Sequence, residues 1–151
     1  MIIWRGEYTL TEEIIKAVCA AIYSEFGDGY TIYTEAVAQD AQTPCFFVIC
    51  TQPKLNRYMS DEYYQEIPIA VQYLPTDSEN YRCECEDVFE RLSLNLDTIS
   101  FEDSCVHGTD TRGEIIDGVL NFFVNYDMMV YKNTEPKARM EKIDITQDLK
   151  G

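Results

Sequence analysis

The longest regular pattern in the chain lies within Ile115 to Tyr131. From its sixth residue onward every second position is apolar, namely Leu120, Phe122, Val124, Tyr126, Met128 and Val130. A period of two places alternate side chains on opposite faces of a β-strand, whereas a helix needs a period of about 3.6. Asp117-Gly118 precedes the run, and glycine accepts the positive φ of a tight turn. The pattern predicts a long hairpin strand whose apolar face requires a cover of helices.

Two segments carry the helical period instead. Thr9 and Glu12 fit a capping box, with Thr9 as the N-cap, and Gly27 stops the apolar stripe that follows, so we expect a helix over residues 10–26. A second helix is expected to begin after Ser78 or Asn80 and to end near Leu94. Its apolar stripe consists of Tyr81, Cys85, Val88, Phe89 and Leu92.

Three further strands are predicted over residues 30–35, 44–51 and 67–74. The run 44–51 is apolar on both faces, which indicates a strand in mid-sheet or one covered from both sides. Pro68 cannot donate to a strand ladder, so it favours an edge position or a bulge. Connectors are expected at 36–43, 52–56 and 57–65, and a less regular stretch at 95–112. The fold class is α+β: a single domain, 1–151, with a mainly antiparallel sheet flanked by two helices and a charged C-terminal extension at 132–151 that either adds an edge strand or acts as a partner-binding arm.

The charge balance narrows the possible partners. Twenty-seven acidic residues against 12 basic ones give a net charge of -15, so the chain repels phosphate backbones and specific nucleic-acid binding is not expected. The apolar run Met1 to Trp4 is too short for a signal peptide or a membrane segment. We therefore expect a cytoplasmic environment, free cysteines and no membrane contact.

Residues with catalytic or metal-binding chemistry form no constellation. His107 is the single histidine and stands two residues after Cys105, without a third group to orient a nucleophile. Cys83 and Cys85 would diverge on a helix and could not share a metal ion. Glycine-rich phosphate loops are absent, and Asp110 opens too short a pattern for a calcium loop. We expect no enzyme activity, no cofactor and no metal.

Tyrosine is abundant, with 11 copies, and several stand in or beside a polar connector. Tyrosine offers a large contact area at a low entropic cost and is enriched at protein interfaces. Packing at the edge of the core is the competing interpretation. The candidate assembly interface consists of Arg57, Tyr58, Tyr63 and Tyr64.

Four motifs occur in an order typical of one known family. The N-terminal helix is followed by Ile32-Tyr-Thr-Glu35, Pro44-Cys-Phe-Phe-Val-Ile49, Ile67-Pro-Ile-Ala-Val-Gln-Tyr-Leu-Pro75 and Asp117-Gly-Val-Leu-Asn-Phe-Phe-Val-Asn-Tyr126. This order resembles the small tail terminator, or tail completion, proteins of phages and of phage-derived contractile particles of Gram-positive bacteria. The resemblance extends from about Leu10 to Val130.

The resemblance implies a structural protein of a virion or phage-tail-like particle, assembled in the bacterial host cytoplasm. It implies a homo-hexameric ring on the head-proximal end of the tail tube that ends polymerisation of the tube and sheath. The expected partners are further copies of the chain, the tail tube protein, the sheath protein and a neck or connector protein. Our hypothesis is that DNA passes through this acidic ring without tight phosphate contacts.

Two other functions are compatible with parts of the sequence. An acidic inhibitor that mimics DNA and binds a basic nucleic-acid enzyme would explain the charge, although the acidic residues are scattered along the chain. A thiol enzyme that uses Cys105 and His107 is a third possibility, since on a strand the two side chains would share a face, but no further group is available to complete the site.

Overall fold

A computed structural model describes residues 2–3, 9–34, 41–76, 79–101 and 104–131 of the chain. Two helices and a set of strands follow one another within these ranges. In chain order they are β1 (Ile2–Ile3), α1 (Leu10–Phe26), β2 (Thr31–Tyr33), β3 (Cys45–Cys50), β4 (Lys54–Met59), β5 (Glu62–Leu74), α2 (Tyr81–Asn95), β6 (Thr98–Phe101), β7 (Ser104–His107), β8 (Thr109–Ile116) and β9 (Val119–Tyr131). The architecture confirms the predicted α+β class.

Two strands of 13 residues form the centre of the sheet. β5 and β9 pair antiparallel, from Glu62 opposite Tyr131 to Tyr73 opposite Leu120. β3 and then β4 follow the outer edge of β5, while β8 and β1 follow the outer edge of β9. β2 pairs with β3 in parallel, so β3 lies in mid-sheet as its two apolar faces predicted.

Both helices cover the same face of this sheet. Alternate residues of β9 from Leu120 to Val130 are all buried, and Ile67, Ile69, Val71 and Tyr73 of β5 are buried beside them. Burying one such side chain stabilises a fold by roughly 1.5–3 kcal/mol relative to exposure. The apolar face predicted from the alternation therefore forms one side of the core, and the two helices form the other side.

The first helix begins and ends where its sequence predicted. The Thr9 hydroxyl accepts from the Glu12 backbone N–H at 3.1 Å, and the Glu12 carboxylate accepts from the Thr9 N–H at 3.2 Å. Gly27 ends the helix with a φ of 83°. Phe26 at its last position contacts Phe46 of β3, with ring centroids 5.0 Å apart, and so anchors α1 on the sheet.

The second helix spans Tyr81–Asn95, as predicted, and lies beside the first. The Arg91 Nε donates to a Glu25 carboxylate oxygen at 3.0 Å, and the Asn95 side-chain amide donates to the Ala21 carbonyl at 2.9 Å. These contacts fix the end of α2 against the last turns of α1. In the described part of the chain, neither helix is both long and apolar enough to cross a membrane.

The turn between β8 and β9 is the predicted Asp117-Gly118 pair. Both residues have positive φ, 53° and 78°, which is the signature of a type I′ turn. Ile116 and Val119 pair directly across it, so the loop has two residues. The turn fixes the register that places Leu120 on the helix side.

The prediction of an edge position or bulge for Pro68 is wrong. Pro68 lies in β5, between β9 on one side and the β3–β4 edge on the other. β3 ends opposite Ile69 and β4 begins opposite Glu66, so the ladder on that side has a gap at Pro68. The Pro68 carbonyl accepts from the Thr51 N–H at 3.0 Å towards this gap. Thr51 thus continues the β3 register opposite Pro68, and because Pro68 has no N–H to return to the Thr51 carbonyl, the β3 ladder ends at this pair.

The stretch 95–112, predicted to be irregular, contains most of three strands. β6 and β7 form a separate two-stranded sheet, and β8 begins at Thr109. Ile99 and Val106 are a buried cross-strand pair of this small sheet. With four residues per strand, the alternation is too short to stand out in the sequence. Residues 36–40 of the predicted connector and the extension 132–151 lie outside the described residues.

Candidate assembly surface

The connectors predicted at 52–56 and 57–65 are instead largely a hairpin, which we call the β4 arm (residues 54–66). β4 pairs antiparallel with the first residues of β5, and Ser60-Asp61 forms the turn. All residues of β4 are exposed. No face of β4 is buried, so its sequence does not alternate between apolar and polar residues. The strand therefore cannot be recognised from periodicity.

Arg57 and Tyr63 are brought together as cross-strand neighbours in the arm. The guanidinium carbon lies 5.1 Å from the centroid of the Tyr63 ring, a cation–π distance. The Arg57 Nη1 also donates to the Ser60 carbonyl at 2.8 Å. Arg57 therefore braces the turn of the arm from within its own hairpin.

The other two predicted interface residues point elsewhere. Tyr58 lies where the β4–β5 register shifts between Arg57 and Met59, and its side chain is 64% exposed. Tyr64 follows Tyr63 in β5 and so faces the side of the sheet opposite the helices. The four predicted residues thus share one arm but occupy both of its faces.

Sequence reasoning missed the apolar part of this surface. Leu55 and Met59 are 58% and 59% exposed, and Lys54 begins the strand beside them. A leucine or methionine in a strand is ordinarily a core residue, so composition alone gives no signal that these side chains are outside. Their exposure follows from the position of β4 beyond the end of both helices' cover.

A pair of carboxyl groups lies at the end of the arm, on the open face of the sheet. Asp127 of β9 is opposite Glu66 of β5, and Tyr64 is near both. Burial, and then the charge of Glu66, raise the pKa of Asp127, while the Ile67 backbone N–H lowers it. Among the described residues, no hydrogen-bond partner reaches the buried Oδ1 of Asp127. Ionisation of Asp127 is therefore less favourable in the folded protein than ionisation of an exposed carboxyl group.

The residues with possible chemistry are distributed over β7, α2 and β8. Cys105 and His107 lie on β7 and are exposed, and His107 Nδ1 is 2.9 Å from the Thr98 hydroxyl. Cys83 is exposed whereas Cys85 is buried, so the two sulfurs diverge as predicted, and all six cysteines are free. Asp110 pairs with Arg112 at 2.7 Å. Within the ranges that the structure describes, no group of three or more His, Cys, Asp or Glu side chains is placed to hold a metal ion.

Comparison with known proteins identifies the family to which the chain is similar. The chain matches the family model described as "Phage tail terminator protein" over residues 13–138. A search of curated proteins finds no significant match.

The matched range runs from the first turn of α1 past the end of β9, and so includes both helices, the sheet from β2 onward and the β4 arm. Proteins of this family are structural, so the match places the chain in tail assembly, among the components of the phage particle and in contact with other tail components. The chain belongs to the family of phage tail terminator proteins.

Proposed function

We propose that copies of this protein form a hexameric ring on the head-proximal end of the tail tube. The ring ends polymerisation of the tube and sheath and provides the surface on which the neck or head joins. Assembly takes place in the cytoplasm of the bacterial host. Membership of the terminator family supports a role in tail assembly and favours it over the DNA-mimic alternative.

The observation that carries the proposal is the exposure of apolar side chains on the β4 arm. Leu55, Tyr58 and Met59 are each more than half exposed. Clustered exposed apolar groups on a soluble domain mark contact sites. The outer edge of β4 also leaves backbone donors and acceptors available for another strand in the described part of the sheet.

The arm is held firmly enough to act as a contact element. Its second strand is the start of β5, which continues as a central strand of the sheet. Tyr131 of β9 donates to the Glu62 carboxylate at 3.1 Å near the turn, and Arg57 braces the turn itself. A preorganised element loses little conformational entropy when it binds, which favours a specific assembly contact.

The net charge of -15 supports a passage for DNA through the ring. A lumen lined by carboxylates would repel phosphates and so avoid tight contacts that retain DNA. Cryo-electron microscopy of the ring on tail tubes tests this point. A neutral or basic lumen would contradict the passage hypothesis without affecting the termination role.

The termination role is tested by electron micrographs of particles made without this protein. We expect tubes or sheaths of excessive and variable length that carry no heads. Resupplying the protein during assembly should restore a uniform tail length. Tails of normal length, joined to heads in the absence of the protein, would overturn the proposal.

A further inference from the structure

We propose that the outer face of the β6–β7 sheet binds a divalent metal ion of the Zn²⁺ type, held by the Cys105 Sγ and the His107 Nε2. This outer face consists of two cross-strand pairs, Thr98 with His107 and Ser100 with Cys105. All four residues are exposed, whereas the pair between them is buried in the core. The proposal does not depend on the ring or on tail termination.

The two ligands are alternate residues of β7. Alternate residues of a strand are roughly 6.6–6.8 Å apart and place their side chains on the same face. A tetrahedral Zn²⁺ ion binds a thiolate sulfur at about 2.3 Å and an imidazole nitrogen at about 2.0–2.1 Å. One ion can therefore contact both Cys105 and His107 with the backbone unchanged. The same spacing on α2 leaves Cys83 exposed and Cys85 buried, so that pair cannot share an ion.

Contacts across the small sheet select the Nε2 of His107 as the metal-binding nitrogen. Its Nδ1 lies 2.9 Å from the Thr98 hydroxyl oxygen, and that hydroxyl lies 3.5 Å from the Asp97 Oδ2. An ionised carboxylate only accepts, so the Thr98 hydroxyl donates to Asp97 and accepts from the Nδ1–H. The neutral imidazole then carries its lone pair on Nε2, which has no hydrogen-bond partner among the described residues.

Asp97 and Thr98 are positioning residues for this ligand. A metal-binding histidine ordinarily donates its second ring N–H to an outer partner, which fixes the tautomer and the orientation of the ring. The Thr98 hydroxyl is that partner, and the negative charge of Asp97 favours a cation nearby. In the described ranges, no basic side chain forms a salt bridge with Asp97.

The backbone that presents the two ligands is fixed by the core beneath it. Ile99 and Val106 form the cross-strand pair on the inner face and are 2% and 6% exposed. The Gly108 N–H donates to the Asp97 carbonyl at 2.7 Å and holds the two strands together at their end. Ligands on such a fixed element lose little conformational entropy when an ion binds.

Two protein ligands leave two positions of a tetrahedral ion to water. That number is below the four of a structural zinc centre, and it agrees with the finding that no group of three ligands occurs among the described residues. On binding, the Cys105 thiol releases its proton to solvent, and the sulfur binds as a thiolate. We therefore expect reversible binding that the fold does not require.

Titration of the reduced full chain with Co²⁺ tests the site, because a cobalt–thiolate bond produces a charge-transfer absorption band. We expect this band to saturate at one ion per chain. Addition of Zn²⁺ should remove it, since thiolate ligands favour Zn²⁺. Cys105→Ser and His107→Gln should each remove the band over the same range of Co²⁺ concentration.

Matched variants separate this site from other thiols and from general effects of substitution. Cys83→Ser, at an exposed cysteine of α2, should leave the titration unchanged. Thr98→Val removes the outer partner of His107 and should weaken Co²⁺ binding about tenfold or more. Thr111→Val, at an exposed threonine of β8, is its control and should have no effect. Circular dichroism should show the same thermal unfolding for each variant and the unmodified chain.

Four outcomes would overturn the inference. The chain could give no cobalt–thiolate band at millimolar Co²⁺, the band could survive His107→Gln unchanged, or Cys83→Ser could abolish it. Saturation at one ion per two chains would also contradict a site within a single chain. None of these outcomes bears on tail length in particles without the protein, so the termination role and the metal site are tested separately.

Discussion

Gly108 shows how one residue without a side chain lets two layers approach. It joins β7 to β8 and donates its N–H to the Asp97 carbonyl at 2.7 Å. A Cβ at this position would lie 2.6 Å from a Val124 methyl carbon and 3.1 Å from the Leu96 carbonyl oxygen. Glycine is needed here for close approach, because an added methyl group would meet β9.

Gly108→Ala should therefore lower the free energy of unfolding by about 1–3 kcal/mol, the usual cost of overpacking. Urea denaturation followed by circular dichroism measures it. Gly29→Ala is the matched control, since nothing lies within 4 Å of a Cβ at Gly29, and it should change stability by less than about 0.5 kcal/mol. Equal effects of the two substitutions would show that the close approach is not tight.

Asp127 makes stability depend on pH in an uncommon direction for a carboxyl group. Its pKa is raised above the ordinary value of 3.8 by burial and by Glu66. The folded state therefore binds a proton more readily than the unfolded state, so this group stabilises the fold increasingly as pH falls through its folded-state pKa. Above that pKa the ionised carboxylate destabilises the folded state relative to the unfolded state.

Asp127→Asn should therefore raise the free energy of unfolding at neutral pH, because the amide is uncharged and nearly isosteric. The gain should vanish when the solution pH falls below the ordinary carboxyl value. Urea denaturation at neutral and acidic pH measures the difference. Asp28→Asn, the same substitution at an exposed turn, is the control for the change itself and should leave stability at neutral pH nearly unchanged. A destabilising Asp127→Asn at neutral pH would contradict the assignment.

Among the elements, α1 is the best specified by local sequence. Its N-terminus has both hydrogen bonds of a capping box, and its apolar stripe covers the sheet. These signals lie within a few residues of one another and need no tertiary information. The β4 arm is the opposite case, since its pairing depends on β5 and its own residues make no core contact.

Thr9→Ala removes the side-chain acceptor for the Glu12 N–H and should lower the free energy of unfolding by about 1 kcal/mol. Thermal or urea unfolding measures this loss. Thr34→Ala, at an exposed threonine outside any helix or strand, is the control and should have little effect. If Thr9→Ala left the free energy of unfolding unchanged, another group would have to accept the Glu12 N–H in place of the Thr9 hydroxyl.

At the scale of the whole molecule, the exposure of each cysteine shows which parts of the fold solvent can reach. Cys83 and Cys105 are exposed, whereas Cys45 and Cys85 are buried. Burial also raises the pKa of Cys19 to about 11, which keeps it in the unreactive thiol form.

Alkylation of the folded protein should consequently modify Cys83 and Cys105 first, and all six thiols should react after unfolding in denaturant. Mass spectrometry of digested samples measures the order. Protection of Cys83 or Cys105 at high protein concentration, with release on dilution, would locate these residues at a contact between copies. Fast modification of Cys85 in the folded state would contradict the packing of α2 on the sheet.

The sequence by itself determined the parts of this protein that a local period or a short motif encodes. The alternation in β9, the capping box of α1, the stripe of α2 and the Asp117-Gly118 turn each specify an element, because burial of one face imposes the period of that element on its residues. Together they give the α+β class and the order of motifs that resembles the family.

Tertiary structure decided what depends on neighbours. Pro68 lies in a central strand at the point where the β3 ladder ends and before the β4 ladder begins, which no local signal reveals. β6 and β7 are too short for a period, and β4 has no buried face to impose one. From the sequence, the candidate surface can therefore be recognised only as a group of tyrosines and an arginine. The exposure of Leu55 and Met59 follows from how the strands pair.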